Sequence, residues 1–300
     1  MLPANICPIV PAIFLKAKVN FDFLDVSLSS LCMDEGLLIE RVKVDKNVEG
    51  VLYVKTFGVV SESENLFKKI KKINNNIFLI DDCCLCPPNF DYKIENSSAD
   101  AAIFSTGYSK YVDIGWGGFG FLKDSYTYNQ KKIPFNPLDL KKITLEMNNG
   151  LTEKSIFLYE NNDWLGSEIK LHDNMDDYSS QVINQLDEIR VHKSILNNIY
   201  SKNLNQSIQL GQKFWNWRFS IFVERKQQLL DKIFEAGLFA SSHYSDITEM
   251  YIKQENRLKE NSNANLIHSK IINLFNDFRF SEDDAHKIVK VINNHVGKEL

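Results

Sequence analysis

The sequence predicts an α/β fold with a mostly parallel sheet, followed by a smaller α+β region. In the first half, short apolar runs alternate with longer stretches of helical periodicity, which is typical of a parallel sheet covered by helices. In the second half, a long amphipathic stretch precedes a strand, helix, strand and helix pattern. We therefore expect a large domain at 1–165, and a long helix with a small α+β domain at 166–300.

The elements of the first half follow from the period of their apolar residues. Residues 2–14 are apolar but interrupted by prolines, which favours a strand end and a loop that leads into a short helix. Leu66, Phe67, Ile70 and Ile73 repeat at the spacing of one helix face, with lysines 68, 69, 71 and 72 on the solvent side. The predicted strands are 19–26, 48–53, 77–80 and 101–105, and the predicted helices are 30–42 and 63–73.

The elements of the second half are predicted in the same way. The segment 125–166 is polar, so we expect it to connect the two domains. A single apolar stripe runs through 176–200 and predicts a long helix. Gly237 is a favoured helix stop, and Ser281 is a favoured N-cap that acidic residues follow. The remaining predicted elements are a strand at 214–222, a helix at 226–236, a strand at 271–274 and a final helix from 281.

Composition narrows the class of protein. The chain has 300 residues, and its 44% hydrophobic content is enough for a sizeable core. A net charge of −4 and a pI near 5.9 argue against a nucleic-acid-binding protein. The sequence contains neither an apolar run long enough for a membrane span nor a secretory signal. The five cysteines are odd in number and three crowd into 83–86, so we expect reduced thiols, no metal and a cytoplasmic location.

The segment that follows strand 77–80 carries the residues that suggest chemistry. The strand ends at Asp82, and ligands of parallel sheets bind beyond the carboxyl ends of strands. Ser105 precedes Lys110 by five positions, and a glycine pair follows at 117–118. This order suits pyridoxal 5'-phosphate (PLP), because the acid holds the pyridine nitrogen protonated, the hydroxyl takes a phosphate oxygen and the lysine amine bonds the aldehyde.

Each of these residues also has an ordinary structural explanation. Asp82 would cap the turn after its strand, Ser105 would be a turn residue, and Lys110 would be an exposed loop lysine. A lysine that bonds a cofactor must lose its proton, which shielding between the preceding glycine turn and the apolar pair Tyr111 and Val112 would favour. The order and spacing of the three residues favour the site.

The same stretches resemble the DegT/DnrJ/StrS-type nucleotide-sugar aminotransferases. The sequence I-D-D-C-C at 80–84 is similar to the family's I-E-D-A-A motif. The sequence A-D-A-A-I-F-S at 99–105, with Lys110 and the glycines of 115–118, is similar to the family's G-D-x-x-x-F-S-F-x-x-x-K and G-x-G-G motifs. The likeness is strong up to about Phe121, and the C-terminal half resembles the family's small domain less closely.

The resemblance implies a fold-type I PLP enzyme with a three-layer large domain and a homodimeric assembly. It implies PLP as the cofactor, with Lys110 as its covalent partner, Asp82 at the pyridine nitrogen and Ser105 at the phosphate. It also implies an amino-acid donor, such as glutamate, and a keto-sugar nucleotide as acceptor, in surface-polysaccharide or deoxyamino-sugar biosynthesis. The resemblance also implies that His243 and Tyr244 lie near the substrate, although an ordinary surface-loop position is the alternative explanation for His243.

The chain departs from the family pattern at several positions. Leu85 stands where the family has Gln or His, residues 5–7 lack the family's stacking aromatic, and only Asn174 is comparable with the family's N-Y-R motif. The family's Gly-Ser/Thr at a phosphate-binding helix N-terminus has no counterpart before Leu2, so we expect an N-terminally shortened member. Two alternatives stay open: a PLP-free relative that acts as an interaction protein or is a non-functional remnant, and a PLP-dependent sugar dehydratase. Lys110 disfavours the dehydratase, since such enzymes usually have His at that position.

Overall fold

The computed structural model contains three sheets within the residues that it describes. Those residues are 1–60, 63–129, 133–165, 175–251 and 262–297. The strands, in chain order, are β1 (Leu2–Pro3), β2 (Phe23–Leu24), β3 (Gly50–Val54), β4 (Phe78–Asp82), β5 (Ala101–Ser105), β6 (Gly118–Leu122), β7 (Phe219–Phe222), β8 (Ala240–Ser241) and β9 (Ile271–Leu274). The helices are α1 (Ile9–Lys16), α2 (Glu35–Val44), α3 (Ser63–Ile73), α4 (Pro137–Glu153), α5 (Met175–Asn203), α6 (Lys226–Glu235), α7 (Thr248–Tyr251), α8 (Asn263–Lys270) and α9 (Glu282–Val296).

The central sheet has the strand order β3-β4-β5-β6 and is mostly parallel. Strands β3, β4 and β5 run in one direction, with Leu52 beside Ile80 and Ile80 beside Ala101, and β6 runs antiparallel to β5. The predicted α/β class is therefore confirmed. Because the three parallel strands end at the same edge, Asp82 and Ser105 lie on that edge.

Helix α3 packs against the central sheet through the apolar stripe seen in the sequence. Leu66, Phe67 and Ile70 are buried in the same core as Leu79, and Phe67 makes an edge contact with Tyr53 at 5.8 Å between ring centroids. Burial of three large apolar side chains stabilises this contact by roughly 1.5–3 kcal/mol for each of them.

One lysine of α3 does not face solvent as the sequence predicts. Lys71 Nζ lies 2.7 Å from the buried carboxylate of Asp100 and also donates a hydrogen bond of 2.9 Å to the carbonyl oxygen of Ile77. The prediction is wrong at this position because Asp100 begins the segment that leads into β5, below the C-terminal turn of α3. Lys71 thereby links the helix to two strands of the sheet.

A three-stranded antiparallel sheet, ordered β7-β9-β8, forms a second packing centre. Helices α6 and α9 pack on it, and Phe219, Ile272 and Ile288 share its buried cluster with the C-terminal part of α5. Ser281 caps α9 in a reciprocal pair with Asp284, as the sequence predicts. This region has the expected α+β arrangement.

Three stretches differ from their predicted structure. Residues 19–26 contribute only the two-residue strand β2, which pairs with β1, because the polar Asp22 and Asp25 bond to nearby backbone and side chains instead of extending a ladder. The segment 214–222 begins as a 3-10 turn and becomes extended only at Phe219. The connection 125–166 contains the 17-residue helix α4, whose N-cap is Asn136.

No helix within the described ranges is both long enough and apolar enough to cross a membrane.

Gly58, in the turn after β3, gives a test of close backbone packing. Its φ is +74°, and a Cβ there would lie 2.5 Å from the carbonyl oxygen of Leu85 and 3.1 Å from the backbone nitrogen of Trp217. We expect Gly58→Ala to lower the free energy of unfolding by about 2–3 kcal/mol, because strained backbone adds to an overlap with backbone atoms. Urea denaturation measures the change.

The matched control is Gly211→Ala, where φ is −60° and a Cβ would meet nothing within 4 Å. This substitution should stay within about 0.5 kcal/mol of the wild type. Equal effects of the two substitutions would contradict the close approach at Gly58.

Candidate active site

Asp82 is the last residue of β4 and lies on the edge where the parallel strands end. It is 6% exposed, pairs in register with Val54 and Ile103, and accepts a hydrogen bond of 2.9 Å from the backbone N–H of Cys84. Burial raises the pKa of Asp82, although the bond from Cys84 and the charge of Lys110 act in the opposite direction. The carboxylate is thus buried and bonded to the turn that follows β4, which is the capping role that the sequence offers as its ordinary explanation, and the charge of Lys110 also acts on it.

Asp81 precedes Asp82 and faces the other side of the sheet, as alternation along a strand requires. Its carboxylate is 2.9 Å from Lys55 Nζ and accepts hydrogen bonds from Tyr92 at 3.2 Å and Ser63 at 3.3 Å. Burial acts to lower the pKa of Lys55, but its neighbours, among them Asp81, outweigh this and the pKa is raised. The two consecutive acids thus have separate surroundings.

Ser105 ends β5 and lies opposite Gly118 of β6. A side chain at Gly118 would come within 2.7 Å of the carbonyl oxygen of Phe104, so the glycine allows the two strands to pair closely here. Within the described part of the chain, the Ser105 hydroxyl accepts a single long hydrogen bond, 3.5 Å, from the N–H of Gly107. Its proton is therefore available to an acceptor beyond the strand end.

Lys110 follows the turn that Gly107 begins, and its N–H donates to the carbonyl oxygen of Gly107 at 3.2 Å. The side chain is half-buried, and among the residues that the structure describes its amine forms no ion pair and no hydrogen bond. Its charge acts on Asp82, Cys7 and Cys84, lowering the pKa of each thiol and of the acid against the larger effect of burial. The structure thus places Lys110 and Asp82 within range of each other's charge.

A cavity of about 230 Å³ opens beside Lys110. Its wall combines the loop that carries Lys110 with α5 and with the residues after β9, including Asp277 and Arg279. The cavity therefore adjoins Lys110 where its loop meets the C-terminal part of the chain, whereas Asp82 and Ser105 are not among its lining residues.

Aromatic side chains near the acid come from the C-terminal half, which the sequence alone did not indicate. Residues 5–7 supply no aromatic ring, whereas Tyr244 contributes to the electrostatic surroundings of Asp82 and stacks on Trp217 with centroids 6.0 Å apart. His243 and Tyr244 were expected near the substrate from the family resemblance, and Tyr244 does lie beside the candidate site. The only signal for it in the sequence was the S-H-Y stretch.

Two further sequence observations have different outcomes. Leu85 is 4% exposed and belongs to the core of the central sheet, so it offers no polar atom to the site. Asn174 lies outside the described residues. Within the described ranges, no three His, Cys, Asp or Glu side chains are grouped as a metal site would require.

Comparisons with known proteins connect this geometry to solved structures. No family model matches the chain, and no curated protein sequence matches it. Spr1654 from Streptococcus pneumoniae, assigned as a sugar aminotransferase and solved in its PLP form, superposes with a TM-score of 0.69 at 16% identity, covering 100% of this chain and 81% of that one. PseC from Helicobacter pylori, an aminotransferase of pseudoaminic acid biosynthesis, gives 0.63 at 16% identity, covering 98% and 78%.

A third solved structure has a different activity on the same fold. The E. coli GDP-4-keto-6-deoxy-D-mannose-3-dehydratase, with bound hydrated PLP, gives a TM-score of 0.57 at 15% identity, covering 97% of this chain and 79% of that one. At such identities the likeness establishes architecture. The chain therefore has the fold of the PLP-dependent sugar aminotransferases, which is fold type I of the PLP enzymes.

Proposed function

We propose that this chain is a PLP-dependent aminotransferase that transfers an amino group to a keto-sugar nucleotide. The observation that carries the proposal is the amine of Lys110, which has no partner among the described residues and whose charge acts on a buried strand-end carboxylate, Asp82. The two groups match the two ends of a PLP ring, and the fold is the one in which the solved PLP-form neighbour holds its cofactor. PLP, when bound, supplies an electron sink for bonds to the amino-bearing carbon.

Asp82 would hold the pyridine nitrogen of the cofactor in its protonated form. The carboxylate is buried, so its interaction with a cation is stronger than it would be in water. The backbone N–H of Cys84 fixes one oxygen of this carboxylate. Burial raises the pKa of Asp82, and a cationic pyridinium beside it would favour the ionised carboxylate and lower that pKa again.

Lys110 would bind the cofactor covalently and then carry protons. Its amine has no competing partner among the described residues, so it can bond an aldehyde without breaking an ion pair first. The amine of Lys110 would also act as general base and acid, removing and returning a proton at the substrate carbon. The Ser105 hydroxyl would donate to a phosphate oxygen.

The named neighbours support the proposed substrate class. Spr1654 is assigned to sugars and PseC to pseudoaminic acid biosynthesis, which supports a nucleotide-linked keto sugar as acceptor and an amino acid as donor. We further propose a homodimer, a cytoplasmic location and a role in surface-polysaccharide or deoxyamino-sugar synthesis. The large domain at 1–165 and the C-terminal domain at 166–300 would enclose the site between them.

One observation favours a PLP-free relative as the second candidate. Leu85 is packed into the core, and Cys7 and Cys84 surround Asp82 with groups that burial keeps as neutral thiols, since it raises the pKa of both. In that case the fold would serve as an interaction protein or a remnant. The dehydratase alternative is weaker, because Lys110 is present.

An absorbance measurement separates these candidates. The wild type mixed with PLP should develop the near-visible absorbance band of the covalently bound cofactor, and Lys110→Ala should abolish both the band and amino transfer. Lys72→Ala, at an exposed position of α3, is the control and should keep the band. A wild type that stays colourless with excess PLP would favour the PLP-free candidate.

A further inference from the structure

Ser109, which directly precedes Lys110, has an unusual backbone conformation. Its φ is +66°, in the left-handed region that a residue with a side chain adopts at a cost of order 1–3 kcal/mol. Such a conformation persists only when the surrounding contacts hold it. The contacts of Ser109 therefore fix the backbone direction at Lys110.

All three polar groups of Ser109 are held. Its hydroxyl oxygen accepts a hydrogen bond of 2.7 Å from Arg218 Nη2 and one of 3.0 Å from Arg279 Nη1. Its carbonyl oxygen accepts one of 2.7 Å from Trp217 Nε1, and its own N–H donates to Asp113 Oδ2 at 2.7 Å. Three of these four bonds come from the C-terminal half of the chain.

Among the residues that contact Ser109, Arg218 has the most deeply buried charge. The residue is 3% exposed, and its guanidinium lies between the ring faces of Trp217 and Phe275, 4.4 and 4.0 Å from their centroids. Among the described residues it forms no ion pair, and its remaining hydrogen bond is to the hydroxyl of Ser241. Burial, and then the nearby Arg279, lower the pKa of Arg218 to about 10, so the group remains charged at neutral pH.

A buried guanidinium without an anionic partner lowers stability, and the Nε of Arg218 has no hydrogen-bond partner among the described residues. None of the proposed steps at Asp82, Ser105 or Lys110 uses Arg218 directly. Among the described residues, its hydrogen bond to the loop that carries Lys110 is the one to the hydroxyl of Ser109, and its charge also acts on Tyr244. The charge therefore acts on the backbone that carries the lysine.

We propose that Arg218 is a positioning residue that, together with Arg279 and Trp217, fixes Ser109 and thereby sets the direction of Lys110 toward Asp82. The inference rests on the proposed function for its purpose, but the physical coupling stands on the contacts alone. The C-terminal half of the chain would then help to orient Lys110, through Trp217, Arg218 and Arg279.

Two variants test the coupling. Arg218→Gln removes the guanidinium, and Ser109→Ala removes only the hydroxyl that both arginines contact, which guards against a variant that does not fold. Lys226→Gln is the control, because it removes another partly buried cation that donates to a serine hydroxyl, that of Ser242, without contacting Ser109.

Hydrogen exchange of the protein without cofactor is the first readout. Loss of a hydrogen bond to a charged group is worth about 1.5–3 kcal/mol, so both variants should exchange about tenfold faster or more in the peptide that covers 106–113. Lys226→Gln should leave that peptide unchanged. Unchanged exchange in both test variants overturns the proposal, whatever the protein does with PLP.

The pH dependence of the absorbance of bound PLP is the second readout. Both variants should shift its midpoint by about half a unit or more, because the distance between Lys110 and Asp82 changes, whereas a purely structural loss would leave the midpoint of the folded fraction in place. An unshifted midpoint alongside faster exchange would also overturn the positioning role. A wild type with no absorbance band overturns the proposed function alone, and hydrogen exchange still decides the coupling.

Discussion

Replacing Asp82 by Asn is expected to lower the turnover of amino transfer by about 10²-fold or more, because a preorganised charge at the reacting centre is lost. The same substitution should leave the protein without cofactor at least as stable as the wild type. Burial raises the pKa of Asp82, so the folded state binds a proton at this site more readily than the unfolded state does, and stability falls as pH rises through that pKa. In the pH range where Asp82 is ionised, its burial therefore lowers stability, and Asn removes that cost.

The neighbouring acid supplies the control for this experiment. Asp81→Asn changes a carboxylate on the opposite face, which contacts Lys55, Ser63 and Tyr92 and has no contact with Lys110 in the described structure. It should lower stability and leave the turnover of the folded fraction within a few fold. Steady-state kinetics and chemical denaturation on both variants measure the pair of effects. A loss of turnover equal in both variants would contradict the assignment of Asp82.

Replacing Lys55 by Met is expected to destabilise the protein by about 3–5 kcal/mol, the usual effect of removing one partner of a buried ion pair. Asp81 is 1% exposed, so its carboxylate would stay buried with only hydroxyl donors. The buried side chain of Lys55 joins the end of β3 to β4 at this edge of the sheet. Urea denaturation at neutral pH gives the free-energy difference.

A control at the surface calibrates the Lys55 result. Lys72→Met removes an exposed lysine of α3 and should change the free energy of unfolding by no more than about 0.5 kcal/mol. If Lys55→Met had an equally small effect, the attraction between Lys55 and Asp81 would not exceed the free-energy cost of desolvating the two groups. The stabilising role proposed for the pair would then be wrong.

Much of the central sheet could be predicted because its signals are local. The apolar runs that became β3, β4 and β5 have strand length, and α3 has a clear apolar stripe. Parallel strands end at one edge, so the positions of Asp82 and Ser105 followed from the order of the elements. The pairing of Lys110 with Asp82 was expected from the order of the motifs, and the charge of Lys110 acts on Asp82 in the structure.

The remaining parts of the site depend on contacts between distant residues. Lys55 pairs with Asp81, 26 positions further along the chain, and Arg218 contacts Ser109, 109 positions before it. No periodicity or spacing in the sequence indicates either contact. The left-handed backbone of Ser109 also has no sequence signal, since Ser is not a residue that favours it. Tyr244 approaches Asp82 only because the C-terminal half packs over the sheet edge.

Helix α4 shows why the polar connection was misjudged. Its buried residues are only Ile143, Met147 and Gly150, so the apolar stripe is narrow and easily overlooked in a polar segment. The Asn136 cap and the proline that follows it were the available start signals.

The most direct test of the proposed PLP site is to locate the cofactor covalently. Protein incubated with PLP is reduced with sodium borohydride, which makes the bond between cofactor and amine permanent, then digested and analysed by mass spectrometry. The account predicts a single modified site at Lys110, lost in Lys110→Ala and strongly reduced in Asp82→Asn. Modification spread over exposed lysines such as Lys72, with Lys110 unmodified, would contradict it.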